Sequence, residues 1–220
     1  MPRRKKVENL SLEEMLMKTE QETPHHMYNV GEHTLHALMR VRPDRILRIT
    51  MLLHDMGKPE YKTMDETGQA HFKKHAIGSE HIAKEILKRL KFDNETIRTV
   101  ARLVLYHDYR MPAEAKNVRR AMNKIGEDIF EYYMEVRRAD VLAQSTYLRE
   151  RKLKNLDDIE ILYAKIKEAK QCVSLKELAV SGSDLIAIGI KPGKEIGEIL
   201  NRLLEMVIED PELNQKEILL

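Results

Sequence analysis

Apolar residues recur along most of the 220-residue chain with the three- and four-residue spacing of amphipathic α-helices. At the start, Ser11 and Glu14 have the spacing of a capping box, and a further helix is predicted from about Asn29 to Arg40. One segment, 61–72, breaks the helical period, because a turn-rich stretch at 65–68 separates two short flanks that fit a tiny β-hairpin. The pattern therefore predicts an all-α fold with one small hairpin. The longer helical stretches lie at 77–90, 97–104, 129–142 and 196–207.

Polar residues before apolar runs indicate where helices begin. Pro43 suits a first helical position, and Asp44 complements the helix dipole there. The helix that follows is predicted to be central to the core and to end near 57–59. Asn155 with Asp158 has the spacing of a further helix cap.

No repeat, low-complexity tract or obvious linker separates two domains. We predict an N-terminal extension over 1–22, a helical domain over 23–170 and a C-terminal helical extension over 171–220 that packs on or near it. A hinge is expected near 170–174. The basic start at 3–6 is interpreted as a frayed tail.

Charge and composition narrow the possible partners. Lys plus Arg number 38 against 36 acidic residues, so the net charge of +2 gives no global argument for nucleic acid. Aromatic residues make up 5% and Trp is absent, which counts against stacking platforms for single-stranded RNA. The single cysteine, Cys172, suits a reducing cytosol, and no apolar stretch approaches the length of a membrane span. We therefore predict a soluble, cytoplasmic protein without a membrane partner.

Histidines and acidic residues suggest a metal site. His54 and Asp55 follow an apolar helix, where a charged side chain is costly unless it is paired or bound to a metal. A metal held by both would lie close against that helix, and its other ligands would come from other helices, for example His33 and Asp140. The alternative, that each is an ordinary buried residue, stays open from spacing alone. The full set lies on or beside predicted apolar helices: His33, His54, Asp55, His75, His107 and Asp140.

Segment 52–59, Leu-Leu-His-Asp-Met-Gly-Lys-Pro, resembles the signature of HD-domain metal-dependent phosphohydrolases. More narrowly, the chain is similar to the HD-bearing region of bacterial CCA-adding tRNA nucleotidyltransferases. The likeness runs from about Thr23 to the C-terminus. The other segments that carry it are 28–34, 71–75, 106–110, 118–120, 137–140 and 192–197.

This resemblance implies that the region 23–170 is a helical HD domain that holds one or two divalent ions (Mn, Fe, Co, Ni, Mg or Zn). It makes His75 and His107 second-metal ligands or substrate contacts, and Lys58 the residue that faces phosphate. The implied ligands of the first ion are His33, His54, Asp55 and Asp140.

The chain departs from the complete nucleotidyltransferases in one respect. Those enzymes need a Gly-rich phosphate loop and closely spaced carboxylates, whereas this sequence has no Gly-Gly step and no Asp-x-Asp. We expect that it does not add nucleotides by itself and is either a stand-alone relative or a fragment of a longer enzyme.

The function implied by the resemblance is metal-dependent hydrolysis of a nucleotide or of an RNA-end phosphoester, including a 2′,3′-cyclic phosphate. Asp55, Lys58, His75 and His107 are the candidate catalytic residues, with His75 or His107 protonating the leaving oxygen. Phosphate charge would be neutralised by Lys58 and by one or more arginines among Arg119, Arg120, Arg137 and Arg138.

Two other functions remain open. The first is a tRNA- or RNA-binding module in which the metal is structural or lost, and the second is a regulatory sensor with a dead site. A turn containing Pro192 and Gly193, beside Lys191 and Lys194, would offer phosphate a helix N-terminus, although a plain packing element explains it as well. No role is assigned to the histidine pair 25–26.

Overall fold

The computed structural model describes residues 11–220 and is mostly helical, with a single small sheet in that part of the chain. Strands β1 (Thr63–Met64) and β2 (Ala70–His71) pair antiparallel, with Thr63 opposite His71. The all-α prediction and the hairpin near 61–72 are thus confirmed. The basic segment 3–6 lies outside the described residues.

The chain divides into two compact units. The described part of the first comprises 11–109 and Glu131–Lys154, and the second comprises Arg110–Phe130 and Asn155–Leu220. The helices up to residue 106 are α1 (Leu12–Lys18), α2 (Val30–Leu38), α3 (Arg45–Leu53), α4 (Lys58–Tyr61), α5 (His75–Arg89) and α6 (Asn94–Tyr106). They are followed by α7 (Ala115–Ile125), α8 (Phe130–Ala143), α9 (Arg149–Glu168), α10 (Gly182–Ala187), α11 (Lys194–Glu209) and α12 (Lys216–Leu219).

Two of the predicted helix starts are wrong in detail. Helix α3 begins at Arg45, and Asp44 is its N-cap because its carboxylate accepts a hydrogen bond from the Leu47 amide at 3.0 Å. Pro43 therefore precedes the cap instead of opening the helix. Asn155 does not cap a helix at all, since α9 runs through it and its amide donates to the Met111 carbonyl at 3.1 Å.

The Asp44 cap leads to a first prediction. Asp44→Ala removes the acceptor for the Leu47 amide and should lower the free energy of unfolding by about 1 kcal/mol. Asp44→Asn keeps a side-chain oxygen and is the matched control. Its free energy of unfolding should fall by only a fraction of the loss in Asp44→Ala. Urea unfolding followed by circular dichroism measures both. An alanine variant as stable as the asparagine variant would contradict the capping role.

Helix α3 lies between two apolar clusters of the first unit. One joins it to α2 and α8, and the other joins it to α5 and α6. Because the end of α3 is fixed between them, the residues that follow Leu53 are held inside the unit. The first cluster contains Ala37, Val41, Leu47, Met51, Val136, Ala139 and Ala143. The second contains Leu53, Ala83, Leu87, Ile97, Val100 and Val104.

The second unit has its own apolar core, to which the amphipathic helix α11 contributes one face. Its buried members are Cys172, Leu178, Val180, Leu185, Leu204, Val207, Ile208 and Leu219. Among the residues described, every helix is too short or too polar to cross a bilayer.

Candidate metal centre

Six residues singled out in the sequence meet in the interior of the first unit. They come from five segments: α2 carries His33, α3 ends at its C-cap His54 and is followed by Asp55, α5 begins with His75, α6 ends at its C-cap His107, and α8 carries Asp140. All are between 0% and 7% exposed. Residues more than 100 positions apart in the chain therefore share one buried polar cluster.

One side of the cluster is formed by His33, His54 and Asp55, whose ligand atoms all lie within 4.8 Å of one another. The Asp55 Oδ2 atom is 3.2 Å from His54 Nε2 and 3.5 Å from His33 Nε2. Asp140 adjoins this group, with its Oδ1 atom 3.0 Å from His33 Nε2. Two imidazoles and two carboxylates thus converge here.

The other oxygen of Asp55 faces a second pair of histidines. Its Oδ1 atom lies 3.3 Å from His75 Nε2 and 3.4 Å from His107 Nε2, and these two nitrogens are 3.1 Å apart. This trio also satisfies the geometry of a metal-holding group. Asp55 is therefore shared between two groups, with one oxygen directed to each.

The hydrogen bonds on the far side of the rings show why these groups fit a cation. The Nδ1 atoms of His54, His75 and His107 lie 2.6–2.7 Å from the backbone carbonyls of the residues three positions earlier. A carbonyl can only accept, so Nδ1 carries the proton and, in the neutral ring, the lone pair of Nε2 points inward. The Nε2 atoms of His75 and His107 are 3.1 Å apart, so their lone pairs repel each other. A cation between these two nitrogens would be bound by both.

The carboxylates supply the negative charge that such a cation needs. Burial by itself would raise the pKa of Asp55, but the nearby His54 and Lys58 hold it well below its usual value. Burial opposes ionisation of Asp140 as well, and hydrogen bonding to His33 holds its pKa well below the ordinary range. Both Asp55 oxygens are buried without a well-aligned hydrogen bond from the described residues. Imidazoles and carboxylates together suit a borderline divalent ion.

Lys58, predicted to face phosphate, is placed against the cluster itself. Its Nζ atom lies 2.7 Å from Asp55 Oδ2 and donates to Gln21 Oε1 at 2.7 Å. The ammonium group is 5.4 Å from the centre of the Phe72 ring. Lys58 is 5% exposed, so these contacts replace water around its side chain.

The four arginines proposed for phosphate neutralisation have different surroundings. Arg137 lies beside the cluster, where its Nη1 donates to the His107 carbonyl at 2.9 Å and lies 3.4 Å from Asp140 Oδ2. In the second unit, Arg119 donates to the carbonyls of Ile208 and Glu209, and Arg120 pairs with the Glu209 side chain. Arg138, the fourth of these arginines, also has an interaction partner.

Sequence reasoning missed several neighbours of the cluster. The His26 ring lies 5.2 Å from that of His33, and burial, together with the Lys58 charge, lowers its pKa to about 3. Gln144 donates to Asp140 Oδ2 at 2.8 Å and holds that carboxylate in place. The i, i+4 spacing of Asp140 on α8 and Gln144 directly after its end was a usable signal. Nothing in the sequence indicated Gln21, which reaches the cluster through Lys58.

Comparisons with known proteins agree on one family. Residues 70–220 match the family model of tRNA nucleotidyltransferase domain 2. The A-adding tRNA nucleotidyltransferase of Deinococcus radiodurans is 30% identical over 190 residues, covering 82% of this chain and 43% of the relative. The CC-adding tRNA nucleotidyltransferase of Thermus thermophilus is 33% identical over 192 residues, covering 84% of this chain and 42% of the relative.

A shorter match concerns the CCA-adding enzyme of Ligilactobacillus salivarius, which is 46% identical over 48 residues, 21% of this chain and 12% of the relative. Each match covers less than half the length of the curated relative. The similarity therefore concerns a part of those enzymes.

Proposed function

Because the chain belongs to the tRNA nucleotidyltransferase domain 2 family, we propose that it is a tRNA-binding module that also holds a divalent metal in its buried histidine–aspartate cluster. The observation that carries the proposal is the family match over residues 70–220. Two relatives are named for adding A or CC to tRNA, and each aligns with more than four fifths of this chain. The sequence lacks a Gly-Gly step and an Asp-x-Asp, which favours binding over nucleotide addition.

The start of α11 is the surface on which we expect tRNA phosphates to bind. Gly193 is the N-cap of this helix and provides no side-chain cap, so first-turn amides remain for another acceptor. Lys191 and Lys194 flank this turn and are exposed. A helix of 16 residues offers its positive end there, which favours a phosphate group.

Binding to a tRNA transcript tests the proposal. The Lys191→Ala/Lys194→Ala variant should bind more weakly, and the slope of log affinity against log salt should become shallower by about 1 for each phosphate that is no longer neutralised. Lys176→Ala removes another exposed lysine of the same unit and is the control, expected to bind like the parent chain. Fluorescence anisotropy with labelled tRNA at several salt concentrations gives both quantities. A parent chain that binds tRNA no better than it binds a random RNA of equal length would refute the proposal.

Hydrolysis of a phosphoester is a second candidate function, and the sharing of Asp55 between two histidine groups is the observation that favours it. A bound divalent ion would supply Lewis-acid activation of a phosphoryl group. Asp55 and Asp140 would remain ionised, and Lys58 and Arg137 would add positive charge beside them. The inward Nε2 atoms of His75 and His107 favour the ligand role over that of proton donor.

A further inference from the structure

A cavity of about 460 Å³ opens on the surface of the first unit next to the metal cluster. His75 belongs to both, since it lines the cavity while its Nε2 atom lies 3.3 Å from Asp55. The volume falls in the range of pockets that hold small ligands. Other residues that line it are Phe72, Lys73, Lys74, Tyr106 and Tyr109.

One part of the lining suits a phosphate group. Lys73 and Lys74 are exposed, and α5 begins directly after them without a side-chain cap and without an acidic residue in its first turn. Its 15 residues direct the positive end of the helix dipole toward these lysines. Asp108 is the acidic residue of the lining, and its Oδ1 atom lies 3.9 Å from Arg137 Nη1, which offsets its charge.

Another part of the lining suits a nucleobase. Tyr106 and Tyr109 both line the cavity, with ring centroids 6.3 Å apart and planes at 84°. Aromatic rings bind bases by stacking, with little dependence on sequence. Two aromatic side chains and two lysines around one cavity match the two ends of a nucleotide, an apolar ring system and an anionic group.

We propose that this cavity binds a nucleoside monophosphate group, with the phosphate at Lys73 and Lys74 and the base against Tyr106 and Tyr109. Because His75 is shared, the bound group lies next to the metal cluster. The proposal rests on the proposed function in one respect: the end of an RNA chain carries the same nucleoside monophosphate group as a free nucleotide. It names a site distinct from the α11 surface, so the two are tested separately.

Binding of AMP to metal-free protein, measured by isothermal titration calorimetry, tests the site without any contribution from catalysis. The Lys73→Ala/Lys74→Gly variant should bind AMP about tenfold or more weakly, since charge-assisted hydrogen bonds are removed, while adenosine binding stays unchanged. Glycine at position 74 accepts the left-handed backbone there, where φ is 69°, so the fold is preserved. Tyr106→Leu should weaken AMP and adenosine alike. Lys88→Ala, an exposed lysine at the other end of α5, should leave AMP binding as it is.

Two further arms identify the source of the group. A short RNA that ends in a 3′-phosphate and binds better than its 3′-hydroxyl form, with the preference abolished in the lysine variant, supports an RNA end. Binding of AMP without that preference supports a free nucleotide. Equal AMP binding by the parent and the lysine variant, or inorganic phosphate binding as tightly as AMP, would overturn the proposal. A chain that binds AMP but not tRNA refutes the tRNA proposal alone, and one that binds tRNA but not AMP refutes the cavity proposal alone.

Discussion

Replacing Asp55 with asparagine should remove bound metal from both histidine groups at once. Its two oxygens face different groups, Oδ2 toward His33 and His54 and Oδ1 toward His75 and His107. An amide keeps the shape but supplies no charge, so metal affinity should fall by more than about 100-fold. Metal content after dialysis, measured by plasma mass spectrometry, should drop to background. Any metal-dependent hydrolysis of phosphoesters by the parent chain should disappear in the same variant, and in Asp55→Ala.

The control for this variant must separate loss of metal from loss of the fold. Asp55→Asn leaves the buried Lys58 ammonium without its counter-ion, and breaking a buried pair costs about 3–5 kcal/mol. The double variant Asp55→Asn/Lys58→Met removes both charges and should recover folding while still failing to bind metal. His107→Ala leaves the group of His33 and His54 intact and should retain metal there. An Asp55→Asn protein that keeps the metal content of the parent would show that Asp55 is not a ligand shared by the two histidine groups.

Gly57→Ala should damage both stability and metal binding, because the turn that follows Asp55 packs directly on the backbone of α5. A Cβ atom at this position would lie 2.5 Å from the His75 carbonyl oxygen and 2.7 Å from the Ser79 nitrogen. The Gly57 amide also donates to Ser79 Oγ at 2.9 Å, a buried bond that holds the turn to the helix. Since backbone atoms cannot swing aside, the turn must move away, and the free energy of unfolding should fall by about 1–3 kcal/mol.

Metal titration and urea unfolding together test this expectation. Moving the turn separates Asp55 from His75, so metal affinity should fall by about tenfold or more, the size of effect expected when groups that support the ligands are disturbed. Gly197→Ala, within α11, meets nothing within 4 Å of its new Cβ and should be neutral or stabilising by about 0.4–1 kcal/mol. If Gly57→Ala had the same stability and metal affinity as Gly197→Ala, the close contact between Gly57 and the backbone of α5 would not be needed for either property.

The part of the fold that follows from local patterning could be predicted from the sequence. The helical period indicated the helices of the core because each buries one face, and the turn at 65–68 indicated the hairpin that the structure contains. The start of α3 was predicted at Pro43, two residues before its observed start at Arg45, since Pro43 and Asp44 both suit a helix start and only the hydrogen bond from the Leu47 amide identifies Asp44 as the cap. Asn155 misled because a capping residue can equally well bind a distant carbonyl from within a helix.

The candidate site was predictable in its members but not in its arrangement. The motif around His54 and Asp55 pointed to the set, and the structure brings its members together. No pattern in the sequence indicated that Lys58 would bind Gln21, because their hydrogen bond joins residues 37 positions apart. The burial of His26 likewise depends on packing between segments.

Three histidines of the cluster donate to the carbonyls of residues three positions earlier, and for His54 and His107 those carbonyls belong to the last turns of α3 and α6. Fraying of either helix end would release the ring and turn its ligand nitrogen away. A metal ion that holds the ring in place would also preserve the hydrogen bond from Nδ1 to the carbonyl, and this bond would keep the last helical turn from fraying. Amide hydrogen exchange at these two termini and occupancy of the centre are therefore linked through one opening equilibrium.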